Sequence, residues 1–185
     1  MDAQNKETHY TYADYCAWDE EMRYELIDGI VYAMSPSPSQ AHQTIVGRLF
    51  RKIGDFLDGR SCQIFIAPFD VRLNAESGDD TVVQPDLLVV CDKSKLDGKA
   101  CVGAPDMVIE VLSQGTARRD RLEKFRLYEK AGVREYWIVD YDDSTIHVHI
   151  LDNGRYYTQV FGERDNLHIH VLEGCVINLS EVFAE

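Results

Sequence analysis

Two apolar runs, each carrying one carboxylate, limit what this chain can fold into. The first, residues 82–90, reads Val-Val-Gln-Pro-Asp-Leu-Leu-Val-Val; the second, residues 107–112, reads Met-Val-Ile-Glu-Val-Leu. Near-continuous runs of this length and β-branched content suit strands buried on both faces of a sheet rather than half-exposed strands. A carboxylate inside such a strand is expensive unless it is paired, hydrogen-bonded or bound to a metal. Asp86 and Glu110 are therefore the first candidates for chemistry. Pro85 removes a backbone donor immediately before Asp86 and predicts a kink there.

The segments around these runs complete an α/β pattern. Ser39 caps a predicted helix to about residue 58, with Ile45, Val46, Leu49, Phe50, Ile53, Phe56 and Leu57 on one stripe. Strands follow at 62–67 and 69–73, broken at Pro68, then at 82–90 and 107–112. A helix over 116–131 stops at Gly132, and a strand occupies 134–140. Asp28-Gly29 and Asn153-Gly154 each sit between strand-like runs, the strongest local hairpin signal. A short helix is expected over 11–22, and two further short strands over 168–172 and 175–179. Helices alternating with buried strands imply an α/β sheet with helices on its faces and extra antiparallel hairpins at both ends. The length of 185 residues suits one domain over 1–185, with a core of about 39–140 and a β extension over 141–185.

Lys124 breaks the helical pattern. On a wheel of 116–131, Phe125, Leu127, Tyr128 and Ala131 define the apolar arc, and Lys124 and Asp120 fall inside it. Arg118, Arg119, Arg126 and Lys130 fall on the other side. Lysine is almost never buried without a partner, so Lys124 either pairs with Asp120 and a strand carboxylate or points into a cleft. His42, in the first turn of the Ser39 helix, either reaches a site at the helix start or is a satisfied interior histidine. His147 and His149, and His168 and His170, form two H-x-H pairs that read as solvent-facing.

Composition excludes several classes. The net charge of −13 speaks against a non-specific nucleic-acid binder, although seven basic residues gather over 118–134. No apolar run approaches the ~18–20 residues of a membrane span. The first residues are polar and lack the apolar core of a secretion signal. Five scattered cysteines without C-x-x-C argue against a disulfide framework and suit a reducing cytoplasm.

At these residues the chain resembles the restriction-endonuclease-like PD-(D/E)XK nucleases, and more narrowly the Uma-two family of bacterial endonucleases. The carrying segments are residues 24–29 (Tyr-Glu-Leu-Ile-Asp-Gly), 84–87 (Gln-Pro-Asp-Leu), 109–113 (Ile-Glu-Val-Leu-Ser), Asp120-x-x-x-Lys124-x-x-x-Tyr128, and 131–140. The resemblance implies a restriction-endonuclease-like mixed sheet core of order αβββαβ. It implies that Asp86 and Glu110 hold Mg²⁺ or Mn²⁺ for hydrolysis of DNA phosphodiesters, with Glu25 as an additional ligand. The superfamily pattern wants a lysine two residues after the glutamate, where this chain has Leu112; Lys124 would supply the ammonium instead. A homodimer would suit cleavage of two strands. The alternative is a catalytically inactive binding or assembly module on the same fold.

Overall fold

The structure is a computed structural model, and it describes residues 8–18, 22–34, 37–113 and 117–184. Its strands are β1 (Tyr24–Ile27), β2 (Ile30–Ala33), β3 (Gln63–Ile66), β4 (Asp70–Arg72), β5 (Val82–Val83), β6 (Leu87–Val90) and β7 (Ala100–Val102). They continue as β8 (Met107–Val111), β9 (Glu135–Asp140), β10 (Thr145–Asp152), β11 (Arg155–Gly162), β12 (Asn166–His168) and β13 (Val176–Asn178). The helices are α1 (Tyr12–Tyr15), α2 (Gln40–Leu57), α3 (Ala117–Arg119), α4 (Phe125–Ala131) and α5 (Ser180–Phe183). The stretch Asp120–Lys124 joins α3 to α4 as a π turn, so residues 117–131 form one helix with a widened middle.

A six-stranded mixed sheet runs β11-β10-β9-β8-β6-β3, and a five-stranded sheet runs β2-β1-β5-β4-β7. Successive residues of a strand face opposite sides, and the centre of the six-stranded sheet shows this cleanly. Leu87, Val89, Met107, Ile109, Val111, Trp137 and Val139 point to one side, where they meet Ile45, Val46, Leu49 and Ile53 of α2. Leu167 and Ile177 of β12–β13 and Val182 of α5 extend that core. Leu88, Val90, Val108, Leu112, Tyr136 and Ile138 point to the other side, against Tyr128 of α4 and Ile27, Val71 and Val83 of the second sheet. β8 and β9 are parallel, joined by the crossover that contains helix 117–131; every other pairing in this sheet is antiparallel.

The predicted strand 82–90 is two strands in two sheets. β5 pairs with β1 and β4, whereas β6 pairs with β3 and β8. Pro85 cannot donate to a ladder, and the chain turns from one sheet to the other across residues 84–86. The partner arm does the same at Pro68: β3 pairs with β6 and β4 with β5. The Ala67 N–H donates to the Asp86 carbonyl at 3.0 Å, closing the corner. Asp86 therefore stands where the paired strands divide.

Other expectations need correction. The helix expected over 11–22 is one turn, α1, capped by Thr11 with Asp14 reaching back to the Thr11 N–H at 2.9 Å; residues 19–21 lie outside the described set. The connector at 92–103 contains the unforeseen strand β7, parallel to β4. Cys62 and Cys91 form a disulfide, against the reading of the cysteines as unpaired. They lie one step beyond the Gln63–Val90 pair of the β3–β6 ladder, so register brings them face to face. His149 is buried, not solvent-facing, because β10 is an interior strand. Its Nδ1 lies 2.7 Å from Thr158 Oγ1, and Phe125 meets its ring edge-on. His168 and His170 are exposed, as expected.

Candidate functional site

The site is built from three elements that meet at one end of β8. In the β6–β8 ladder, Leu87 faces Ile109 and Leu88 faces Val108. Continued by one residue, that register sets Asp86 opposite Glu110. Cβ atoms of directly opposed residues lie about 4.5–5.5 Å apart. Asp86 has left the ladder, and its carboxylate does what a backbone carbonyl would do: Oδ2 accepts the Val111 N–H at 2.8 Å. His42 Nε2, from the first turn of α2, lies 3.2 Å from the same oxygen. Ser39 fixes that turn by accepting the His42 N–H. Burial disfavours a charged His42, yet the Asp86 carboxylate outweighs it and raises the imidazole pKa above its ordinary value.

Helix 117–131 supplies the counter-charge. Lys124 is buried at 4% exposure. Its Nζ lies 2.8 Å from Glu25 Oε1 of β1, 2.8 Å from Glu110 Oε1 and 3.7 Å from Asp120 Oδ1. The Tyr128 hydroxyl, one turn later, donates to Glu110 Oε1 at 3.0 Å. Glu25 also accepts the Gln84 N–H at 3.1 Å, which ties the second sheet to the corner before Asp86. The Tyr136 hydroxyl of β9 donates at 3.0 Å to the Asp120 carbonyl inside the π turn. π turns are rare and concentrate at functional sites.

The charges do not balance in pairs. Burial first, and then Asp120, Asp86 and Glu25, push the Glu110 carboxyl well above the usual range, against the pull of Lys124. Burial alone would discharge Lys124, but Glu110, Glu25 and Asp120 together hold its ammonium well above its usual range. The cluster thus sets one firmly charged lysine among several carboxyl groups, and burial holds Glu110 toward its protonated form. Burial and the neighbouring carboxylates keep the Tyr128 hydroxyl protonated, so it acts as a donor. Among the described residues, no three His, Cys, Asp or Glu side chains stand together in a geometry that would enclose a metal ion.

Residues 11–180 match the family described as "Uma2: Putative restriction endonuclease". The chain belongs to the Uma2 family. An uncharacterized protein of Synechocystis sp. is 29% identical over 160 residues, 84% of this chain and 82% of that protein. A crystal structure from Anabaena variabilis, described as a putative nuclease belonging to DUF820, superimposes with a TM-score of 0.78 at 20% identity. The match covers 95% of this chain and 98% of that one. The shared fold is the restriction-endonuclease-like core, and family membership points in general terms to a nuclease.

All seven residues singled out in this Uma2 protein, Glu25, His42, Asp86, Glu110, Asp120, Lys124 and Tyr128, fall in one connected cluster. Periodicity located Lys124 and Asp120; Glu25 came from resemblance alone. Leu112, in the place of the superfamily lysine, is buried in the second core. Arg119 was misplaced. The wheel put it on the far side of the helix, but its Nη1 lies 3.9 Å from Glu25 Oε2.

Proposed function

We propose that this Uma2 protein is a metal-dependent DNA endonuclease, with Asp86 and Glu110 as ligands of Mg²⁺ or Mn²⁺ and Lys124 assisting the attacking water. The observation that carries the reading is one ammonium buried among Glu25, Glu110 and Asp120, beside the Asp86 carboxylate. A purely structural ion pair needs one carboxylate. A surplus of hard oxygen donors beside a retained lysine suits a site that takes a cation and a phosphate. Mg²⁺ is commonly held by one or two carboxylates, with water and substrate phosphate completing its shell, so Asp86 and Glu110 suffice as a protein ligand set. When bound, such a cation would lower the pKa of water and neutralise charge on the phosphoryl oxygens.

The chain's own residues have separable tasks. His42 and the Val111 N–H fix the Asp86 carboxylate, and Tyr128 fixes that of Glu110. Glu25 and Asp120 keep Lys124 charged and aimed at Glu110. The ammonium would act as a hydrogen-bond donor and a fixed positive charge toward the attacking water or the phosphoryl oxygens. Glu25 is proposed as an additional ligand. DNA as substrate, a homodimer, a cytoplasmic setting and a single domain over 1–185 complete the proposal. Among the described residues, no helix is long and apolar enough to cross a membrane.

A second reading has one observation in its favour. Leu112 replaces the usual lysine, and Lys124 already bridges Glu110 and Glu25, as in a fold kept for binding rather than hydrolysis. Plasmid nicking separates the two. The purified protein should nick supercoiled plasmid with Mg²⁺ or Mn²⁺, not with EDTA, and Glu110→Ala should lose at least about a hundredfold of the rate. Equal nicking by both proteins would overturn the assignment.

A further inference from the structure

The residue that the helical wheel placed on the wrong side points to a substrate contact. In a regular α-helix, at about 100° per residue, Arg119 and Lys124 lie about 140° apart. The π turn Asp120–Lys124 changes this. With i→i+5 bonding and about 4.4 residues per turn, five residues bring the two side chains to within about 50°. Both then reach one carboxylate. Lys124 Nζ lies 2.8 Å from Glu25 Oε1, and Arg119 Nη1 lies 3.9 Å from Glu25 Oε2.

The two cations differ in what they can do there. Lys124 is sealed inside; the Arg119 side chain is 25% exposed. Its guanidinium lies over the Tyr32 ring, 4.4 Å from the centroid. Such stacking orients a guanidinium without neutralising it or using its in-plane N–H donors. At 3.9 Å, Glu25 attracts the guanidinium but is beyond hydrogen-bond reach. A polyanion approaching this chain meets a net charge of −13 and a carboxylate cluster, so binding calls for a solvent-accessible cation beside that cluster. Glu25, on β1, is the acidic competitor beside the guanidinium.

We propose that Arg119 is a phosphate-binding residue, held beside Glu25 by Tyr32 and the π turn, and that it takes the non-bridging oxygens of a substrate phosphodiester. The inference rests on the nuclease reading for the identity of the phosphodiester. It assigns a role to the π turn: presenting a partly exposed arginine and a buried lysine on one side of one helix.

Binding tests it without turnover. The affinity of the full chain for a fluorescein-labelled DNA duplex is measured by anisotropy, with Ca²⁺ in place of Mg²⁺, across a series of salt concentrations. Arg119→Gln should weaken binding about tenfold and flatten the slope of log affinity against log salt by about 0.9. Arg119→Lys should keep the slope, since the charge remains. Tyr32→Leu should lose part of the affinity, and Tyr32→Phe, which keeps the ring, should not. Arg119→Gln with wild-type affinity and slope would overturn the proposal. So would a loss that Arg119→Lys does not rescue together with a lowered Tm, the mark of a structural role. Wild-type protein that binds DNA but never cleaves it would refute the nuclease reading and leave Arg119 decided by these data. Wild-type protein that binds no DNA would refute both.

Discussion

Replacing Lys124 by methionine removes the ammonium buried among Glu25, Glu110 and Asp120 while keeping nearly the same volume. Glu25, Glu110 and Asp120 then remain at 2%, 5% and 2% exposure without the ammonium. Removing one partner of a buried ion pair typically costs about 3–5 kcal/mol. Against a total stability of about 5–15 kcal/mol, that is a large fraction. The loss should depend on pH. Without the ammonium, the Glu110 carboxyl, already raised by burial, rises further above its unfolded value of about 4.3. A carboxyl whose folded pKa is raised stabilises the fold at low pH, and that contribution disappears as pH rises through the folded pKa. The Lys124→Met penalty should therefore be near its full size at pH 8 and shrink markedly at pH 5. Urea unfolding followed by the fluorescence of buried Trp137 measures both. Adding Glu110→Gln to Lys124→Met should recover part of the loss at pH 8. A penalty below about 1 kcal/mol at pH 8, or one of the same size at pH 5, would refute the view that Lys124 compensates an excess of buried negative charge.

Other variants test separate parts of the structure. Glu135 is fully buried and accepts from Trp137 Nε1 at 2.7 Å and from the Val171 N–H at 2.9 Å; Glu135→Ala should cost about 2–5 kcal/mol in urea unfolding by stranding two donors. Gly132 ends α4 at φ +89 with no atom near a built Cβ, so Gly132→Ala should cost about 1 kcal/mol from backbone strain alone. Burial, then His147 and Arg121, depress the His149 pKa to about 4. The unfolded chain takes that proton first, so wild-type stability should fall as pH drops from about 6.5 towards 4, and His149→Phe should flatten this limb. His42→Gln should weaken Mn²⁺ binding about 10–100-fold by calorimetry, because it loosens the orientation of Asp86.

The parts of this molecule that were readable from sequence are those set by local periodicity. α2 and the burial of Lys124 follow from spacing of three to four residues, and both Asx-Gly hairpins and the stop at Gly132 from local turn residues. Features set by register or by main-chain irregularity were not readable. Pro85 announced a kink, but nothing in residues 82–90 said that the kink changes sheets. An odd cysteine count hid the Cys62–Cys91 pair, which depends on how β3 aligns with β6. His149 was misjudged because the alternation of β10 does not reveal that Tyr136, Phe125 and Tyr156 cover one of its faces. Arg119 was misplaced because the wheel assumes 100° per residue, and the π turn abandons that angle where it matters.

In the proposed mechanism Asp86 and Glu110 jointly hold a divalent ion beside Lys124. Crystals soaked in Mn²⁺ and measured at an anomalous wavelength test it most directly. One strong peak is expected within coordination distance of both carboxylates, with Lys124 still near Glu110. Soaked crystals with no peak there, or with manganese only at surface carboxylates away from β8, would contradict it.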